Sequence, residues 1–176
     1  MNYADAVSLK HATLGLLTYG PASGYDLLQK FRDSLANVWP ATQSQLYGEL
    51  GKLADAGLVT VAAEGPRGRK EYELTDAGRE ELRHWLVEVE PNRVTRNESL
   101  LRVYFLGAVG PERAREYLAN LGETGRRRSE RLAELDATID WGDDDPSRYG
   151  RLVLEWGKRF SAMQQEWAEW AVKQVE

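Results

Sequence analysis

Apolar positions recur at helical spacing through most of this chain, and the places where the spacing breaks mark its elements. Leu9, Ala12, Leu16 and Leu17 define a first helix across 9–19, which "YGPASG" ends. Ser23 with Asp26 three residues on reads as a capping box, with Asp in place of the usual Glu or Gln. It opens a short second helix whose apolar content is Tyr25, Leu27, Leu28 and Phe31. "VWPATQ" closes that unit. Thr42 and Gln45 form another capping-box pair, and Leu46, Leu50 and Leu53 line one face of a third helix. Gly57 in "DAGL" stands at its C′ position. "LVTVAA" (58–63) and "KEYEL" (70–74) read as two strands about the turn "EGPRG". Thr75 caps a fourth helix with Leu82, Trp85, Leu86 and Val89 facing inward. Three short helices, a hairpin and a closing helix predict a winged helix-turn-helix.

The second half is patterned differently. "EPNRVTRN" (90–97) is polar and contains Pro91, so residues 91–97 read as a linker between a domain at 1–90 and another at 98–176. "ESLLRVYFLGAV" (98–109) is a dense apolar helix. Pro111 starts the next, which runs to about Ile139; "DWGDDDP" stops it, and Asp145-Pro146 starts a last helix. The predicted fold class is mostly α: a winged helix-turn-helix N-terminal domain followed by an all-helical C-terminal dimerisation domain.

The last helix carries Tyr149, Leu152, Trp156, Phe160, Met163, Trp167, Trp170 and Gln174 at alternating spacings of three and four, as a coiled-coil-like interface requires. The preceding helix has a weaker version in Ala114, Leu118, Leu121, Leu132, Leu135 and Ile139, interrupted by Gly125 and Arg128. The stripe packs on helices of its own chain, or also meets a second subunit, or forms a small-molecule pocket. The second reading is favoured, because a lobe of about 80 residues has little core of its own. Leu152, Trp156, Phe160, Met163, Trp167 and Trp170 are then the expected homodimer interface.

Charge narrows the partners. The chain has 28 acidic against 23 basic residues, net −5, which argues against indiscriminate binding to polyanions. It contains no cysteine, excluding disulfides, thiolate metal sites and cysteine nucleophiles, and no apolar run long enough to span a membrane. No secretory signal is expected, and the expected location is the cytoplasm. Against that acidic balance, Arg67, Arg69 and Lys70 cluster at the hairpin tip, where a winged helix meets the minor groove or flanking phosphates. With the leucines of the third helix inward, Ser44, Gln45, Gly48 and Gly51 point outward, with Lys52 and Asp55 near them and Tyr47 on the flank. Gln43, Ser44 and Gln45 form the turn that meets the groove, and Gln can pair with adenine through two hydrogen bonds. The expected DNA-contacting set is Thr42, Gln43, Ser44, Gln45, Tyr47, Lys52, Arg67, Arg69 and Lys70.

An enzyme is not expected, nor a cofactor or metal. His11 and His84 lack ligand spacing, "GPRGRK" lacks the ending of a phosphate loop, and no serine sits in a nucleophile elbow. Helix capping accounts for Asp145 in the acidic run 143–145. A winged helix that binds protein instead of DNA is the alternative.

The stretches "LGLLTYGPASGYDL" (14–27, with Leu14), "WPATQSQLYGELGKLADAGLV" (39–59) and "RKEYELTDAGREELRHWL" (69–86) resemble a PadR-type transcriptional regulator. "NESLLRVYFLGAVGPERAREYL" and "RLVLEWGKRFSAMQQEWAEW" resemble the helical C-terminal domain shared by PadR regulators and virulence-activator-like proteins. The resemblance spans nearly the whole chain and is specific at Gly24-Tyr25, Leu46-Tyr47, Gly57-Leu58, and Tyr72, Leu74, Thr75 and Gly78. It implies a dimeric bacterial regulator, generally a repressor, that binds a palindromic double-stranded DNA operator. It also implies dimerisation through the C-terminal helices and a small aromatic or cationic effector. An aromatic effector would stack on Trp85, Tyr104 and Trp156, between the lobes or at the dimer seam. Gly48 and Gly51 depart from relatives that often carry a basic residue there, implying lower affinity or a different operator.

Overall fold

A computed structural model describes residues 3–35, 41–91 and 96–175. Two compact units divide between Val94 and Thr95. The expected end of the second helix at 38–40, and most of the expected linker, lie outside the described residues.

The first unit is α1 (Tyr3–Leu17), β1 (Ala22–Ser23), α2 (Gly24–Lys30) running into a π-helical turn at Phe31–Leu35, α3 (Gln43–Asp55), β2 (Val59–Glu64), β3 (Lys70–Leu74) and α4 (Asp76–Val87). Leu14 and Leu17 of α1, Leu27 and Phe31 of the α2 region, and Leu46, Leu50 and Leu53 of α3 are all buried in one core. Val59 and Leu74 close it from the sheet. Both capping boxes form, at Ser23/Asp26 and Thr42/Gln45. Gly57 has φ 68, the left-handed conformation that ends α3.

The sheet has three strands, not two, in the order β1-β3-β2 and antiparallel throughout. The extra strand is two residues long, Ala22 opposite Tyr72 and Ser23 opposite Glu71, too short to show a period in sequence. A bulge between Val61 and Ala63 bends the hairpin, whose tip is a 3-10 turn at Pro66–Gly68. The α4 helix docks by its first turn: Thr75 Oγ1 donates to Gly57 O (2.7 Å) and accepts from Gly78 N (3.1 Å). A Cβ on Gly78 would lie 2.0 Å from Leu58 O, so only glycine fits. Farther along, Glu81 binds Lys10 (2.6 Å) and His11 (3.0 Å), and Trp85 stacks on the buried His11 ring at 4.5 Å. The expected inward set of α4 holds for Leu82 and in part for Trp85. Leu86 and Val89 are exposed, Leu86 because it falls off the face that meets α1 and Val89 because it lies beyond the end of the helix.

The second unit is α5 (Glu98–Tyr104), α6 (Pro111–Thr138) and α7 (Asp145–Lys173). The helix expected over 98–109 stops at Tyr104, and a 3-10 turn at Leu106–Ala108 leads to Gly110 at φ 81. The α7 cap is Asp144, whose side chain accepts from Ser147 N (2.9 Å); Asp145, assigned to capping above, is the first helical residue.

Helices α6 and α7 pack through small residues. Gly122, Gly125, Gly157, Ser161, Ala168 and Ala171 are buried along with Leu118 and Leu132. A Cβ on Gly125 would lie 3.0 Å from Ser161 O and 3.1 Å from Gln165 N. Gly125 therefore belongs to the seam instead of interrupting it. A clamp closes the far end: Asp136 accepts from Trp141 Nε1 (2.9 Å) and Lys158 Nζ (2.8 Å), and the Arg151 guanidinium lies 5.5 Å from the Trp141 ring centroid.

This seam is not the aromatic stripe. Leu152, Trp156, Met163 and Trp170 are each at least half exposed, with Phe160 and Trp167 half-buried. Leu100, Leu101, Tyr104 and Phe105 of the α5 segment are exposed as well. Burial within its own chain, the first reading of the stripe, does not describe Leu152, Trp156, Met163 and Trp170.

Candidate nucleic-acid interface

The first turn of α3 is built by its cap. Thr42 Oγ1 accepts from Gln45 N (3.3 Å), and Gln45 Oε1 accepts from both Thr42 N (2.9 Å) and Thr42 Oγ1 (2.8 Å). Thr42 Oγ1 also lies 3.3 Å from Ser44 Oγ. Gln43, Ser44 and Gln45 are exposed, and Thr42, Gln43, Ser44 and Tyr47 line a shallow open depression at the helix start. The amide oxygen that would accept from an adenine is already engaged by Thr42. Gln45 therefore acts first as a cap, and base contact through its oxygen requires opening that box. Ser44 and Gln43 stand beside it on the same open turn.

One helical turn on, the outer face is bare. Gly48 and Gly51 are exposed, and a Cβ at either would meet nothing within 4 Å. Each glycine costs a helix about 1 kcal/mol relative to alanine. No intramolecular contact in the described structure offsets that cost. Between and below them, Glu49 is buried and holds the exposed Lys52 Nζ at 3.1 Å.

Tyr47 has a specific seat. A Cβ on Gly24 would lie 2.9 Å from Tyr47 Cε1 and Cζ, so the ring rests on the bare Cα at the start of α2. The hairpin tip is held as well. Arg69 Nη2 donates to Asp26 Oδ2 (2.7 Å) and lies 3.7 Å from Glu71, while Lys70 sits 3.9 Å from Glu64. Of the Arg67 side chain the described structure says nothing. The local positive field expected at the tip is thus partly neutralised: Arg69 and Lys70 each have a carboxylate partner, as Lys52 has on α3. Such exposed pairs are worth about 0–1 kcal/mol, so a phosphate can compete for Lys70 and Lys52. Arg69 makes the shortest of these contacts, 2.7 Å. Its acceptor, Asp26, is lowered from the ordinary carboxylate range, first by the Ser23 hydroxyl and amide and then by Arg69 itself.

The expected effector residues have intramolecular neighbours of their own. Trp85 stacks on His11 in the first unit; in the second, Tyr104 meets Phe105 edge-on and Trp156 stacks on Phe160, both at 5.1 Å. Sequence reading missed Gly24 and Asp26 as partners of the interface. The signal was present in the Ser23–Asp26 box, because a capping carboxylate has lone pairs left for a second donor.

Comparison with known proteins bears on both units. Residues 13–84 match the model of the transcriptional regulator PadR-like family, and residues 95–176 match the virulence activator alpha C-terminal family. The chain is 35% identical over 136 residues to the negative transcriptional regulator PadR of Bacillus subtilis, covering 75% of this chain and 73% of that protein. The crystal structure of Bacillus subtilis PadR with operator DNA superposes with a TM-score of 0.84 at 29% identity, covering 96% of this chain and 99% of that one. The structure of the same protein with p-coumaric acid gives 0.83 at 29% identity, covering 95% and 98%.

Proposed function

The chain belongs to the PadR-like family of transcriptional regulators, and from that premise we propose that it is a homodimeric repressor of bacterial genes that binds a palindromic operator through α3 and the hairpin wing. The observation that carries the reading is the outer face of α3. Its first turn displays Gln43 and Ser44, its next turns expose backbone at Gly48 and Gly51, and its inner face is locked in the core by Leu46, Leu50 and Leu53. A glycine pair without intramolecular purpose is explained by an external body that approaches the backbone closely. The helix N-terminus favours phosphate, and Tyr47, Lys52, Lys70 and Arg67 flank the groove-facing turn.

The exposed aromatics of α7 supply the second half of the reading. Two copies meeting through Leu152, Trp156, Met163 and Trp170 give the two-fold axis that a palindrome mirrors. A small aromatic acid is the effector class we favour, since the similar Bacillus protein is solved with p-coumaric acid. Trp85, Tyr104 and Trp156 remain its candidate stacking surfaces. Among the described residues no cluster of His, Asp or Glu could hold a metal and no helix is long and apolar enough to cross a membrane. A non-enzymatic role in the cytoplasm fits a regulator of this kind.

The test exploits the glycines. Gly48→Ala with Gly51→Ala should raise the melting temperature, each substitution adding up to about 1 kcal/mol of helix stability. The same protein should bind operator DNA at least tenfold more weakly, about 1.4 kcal/mol or more. Parent binding should fall steeply with salt as counterions return to the phosphates. Unchanged DNA affinity in the double variant would remove the two glycines from the interface, and a parent that binds no duplex, or binds with no dependence on salt, would favour a winged helix that recognises protein.

A further inference from the structure

The first turn of α2 is tied to the recognition helix and to the wing. Ser23 pairs with Glu71 in β3, the strand that leads out of the wing. Asp26 Oδ2 accepts from Ser23 N (3.1 Å), Ser23 Oγ (2.7 Å) and Arg69 Nη2 (2.7 Å). Gly24 leaves the space that the Tyr47 ring occupies, and the three atoms nearest its missing Cβ all belong to Tyr47. Two consecutive elements of the proposed interface, α3 and the wing, thus converge on the sequence-distant residues 23–26.

Resting on the DNA-binding reading above, we propose that this turn positions the interface: Gly24 seats Tyr47, Asp26 latches the wing through Arg69, and Arg69 is that latch, not a phosphate ligand. Arg69 stands between two carboxylates, Asp26 at 2.7 Å and Glu71 at 3.7 Å, so an approaching phosphate meets both negative charges together with the cation. Beyond the Ser23–Glu71 pairing, the hairpin tip needs a contact to fix its direction. An arginine held by a rigid capping carboxylate supplies one. The pair contributes little to global stability, as exposed pairs do, but it sets where Arg67 and Lys70 are presented.

The experiment uses the full chain, a duplex that it selects from random DNA, and a scrambled duplex of equal length, read by fluorescence anisotropy across a salt series. Failure to select any duplex would overturn the DNA-binding reading itself. Given a selected duplex, Arg69→Ala and Asp26→Asn should each weaken binding about tenfold, a coupling of ordinary size for groups in direct contact. Both should leave binding to scrambled DNA and the salt slope at parental values, and the double variant should be no weaker than either single one. Asp26→Asn keeps an oxygen for the Ser23 amide, and Asp26→Glu, which keeps the charge, should restore binding. A phosphate-bound Arg69 predicts the reverse. Arg69→Ala would flatten the slope by about 0.9 per contact, about 1.8 for a dimer, and Asp26→Asn would tighten binding by releasing the cation. Either result overturns the latch. Arg69→Ala disturbs no buried group, so it reports the latch even where Asp26→Asn loosens α2. For the seat, Gly24→Ala should weaken binding in the parent and have no further effect beside Tyr47→Ala; additive losses would overturn it.

Discussion

The two units bury opposite kinds of residue. The first fills its interior with leucine, valine and phenylalanine and keeps its outer α3 face polar and glycine-bare. The second closes α6 on α7 with glycine, alanine and serine, and leaves tryptophan, methionine and leucine exposed on the same helix. A unit of the first kind is complete as a single chain. One of the second kind has its helices held close but leaves large side chains such as Leu152, Trp156 and Trp170 in water, at a cost of about 25 cal/mol per Å². A second copy would remove that cost, and on the function proposed above the first unit is then the reader and the second the dimeriser.

Breaking the dimeriser has the largest expected effect. Trp156→Asp with Trp170→Asp should abolish the dimer, because a central interface residue is worth about 2 kcal/mol and counts twice across a two-fold axis. Each substitution then weakens association by about three orders of magnitude, measured by sedimentation equilibrium. The melting transition of the first unit should not move. Breaking the reader comes next. Gly78→Ala sets a Cβ against the Leu58 carbonyl, a backbone atom that cannot yield, and should cost about 3 kcal/mol. That loss should appear only in the first unit's unfolding by hydrogen exchange, with the dimer intact. Gly125→Ala is the counterpart in the second unit. Its contacts at 3.0 and 3.1 Å are less severe and the helix gains propensity, so a net loss of about 1 kcal/mol is expected there alone. Smallest is the response to acid. Glu123 is lowered to about 2 by hydrogen bonds from Arg126 and then Arg127. A carboxylate with a lowered folded value stabilises above its unfolded value, about 4.3, and loses that contribution as pH falls toward 2. Melting of the second unit should therefore be flat above pH 5 with respect to this group and fall slightly below 4, by less at high salt.

The two units also differ in how far the sequence discloses them. In the first, caps and leucine spacing fixed α2, α3 and the wing, because each signal is local: Ser23 and Thr42 cap within four residues, and Leu46, Leu50 and Leu53 share one face. What was not legible there is nonlocal. The two-residue β1, the seat of Tyr47 on Gly24 and the pairing of Arg69 with Asp26 join residues 20 to 50 positions apart, and no period reports such contacts. Gln45 was visible both as a cap and as a base reader, and the geometry shows the cap. In the second unit the heptad stripe was plain, but the face that packs within the chain was hidden. Gly125 looked like an interruption because glycine carries no hydrophobic signal, although its lack of a side chain is what lets α6 approach α7.

Sedimentation equilibrium of the parent chain tests the division into reader and dimeriser most directly, with and without one equivalent of a selected duplex. The mass expected is that of two chains in the absence of DNA, and of two chains plus one duplex in its presence. A parent that sediments as a single chain at micromolar concentration, with Trp156 and Trp170 still exposed to solvent quenchers, would contradict it.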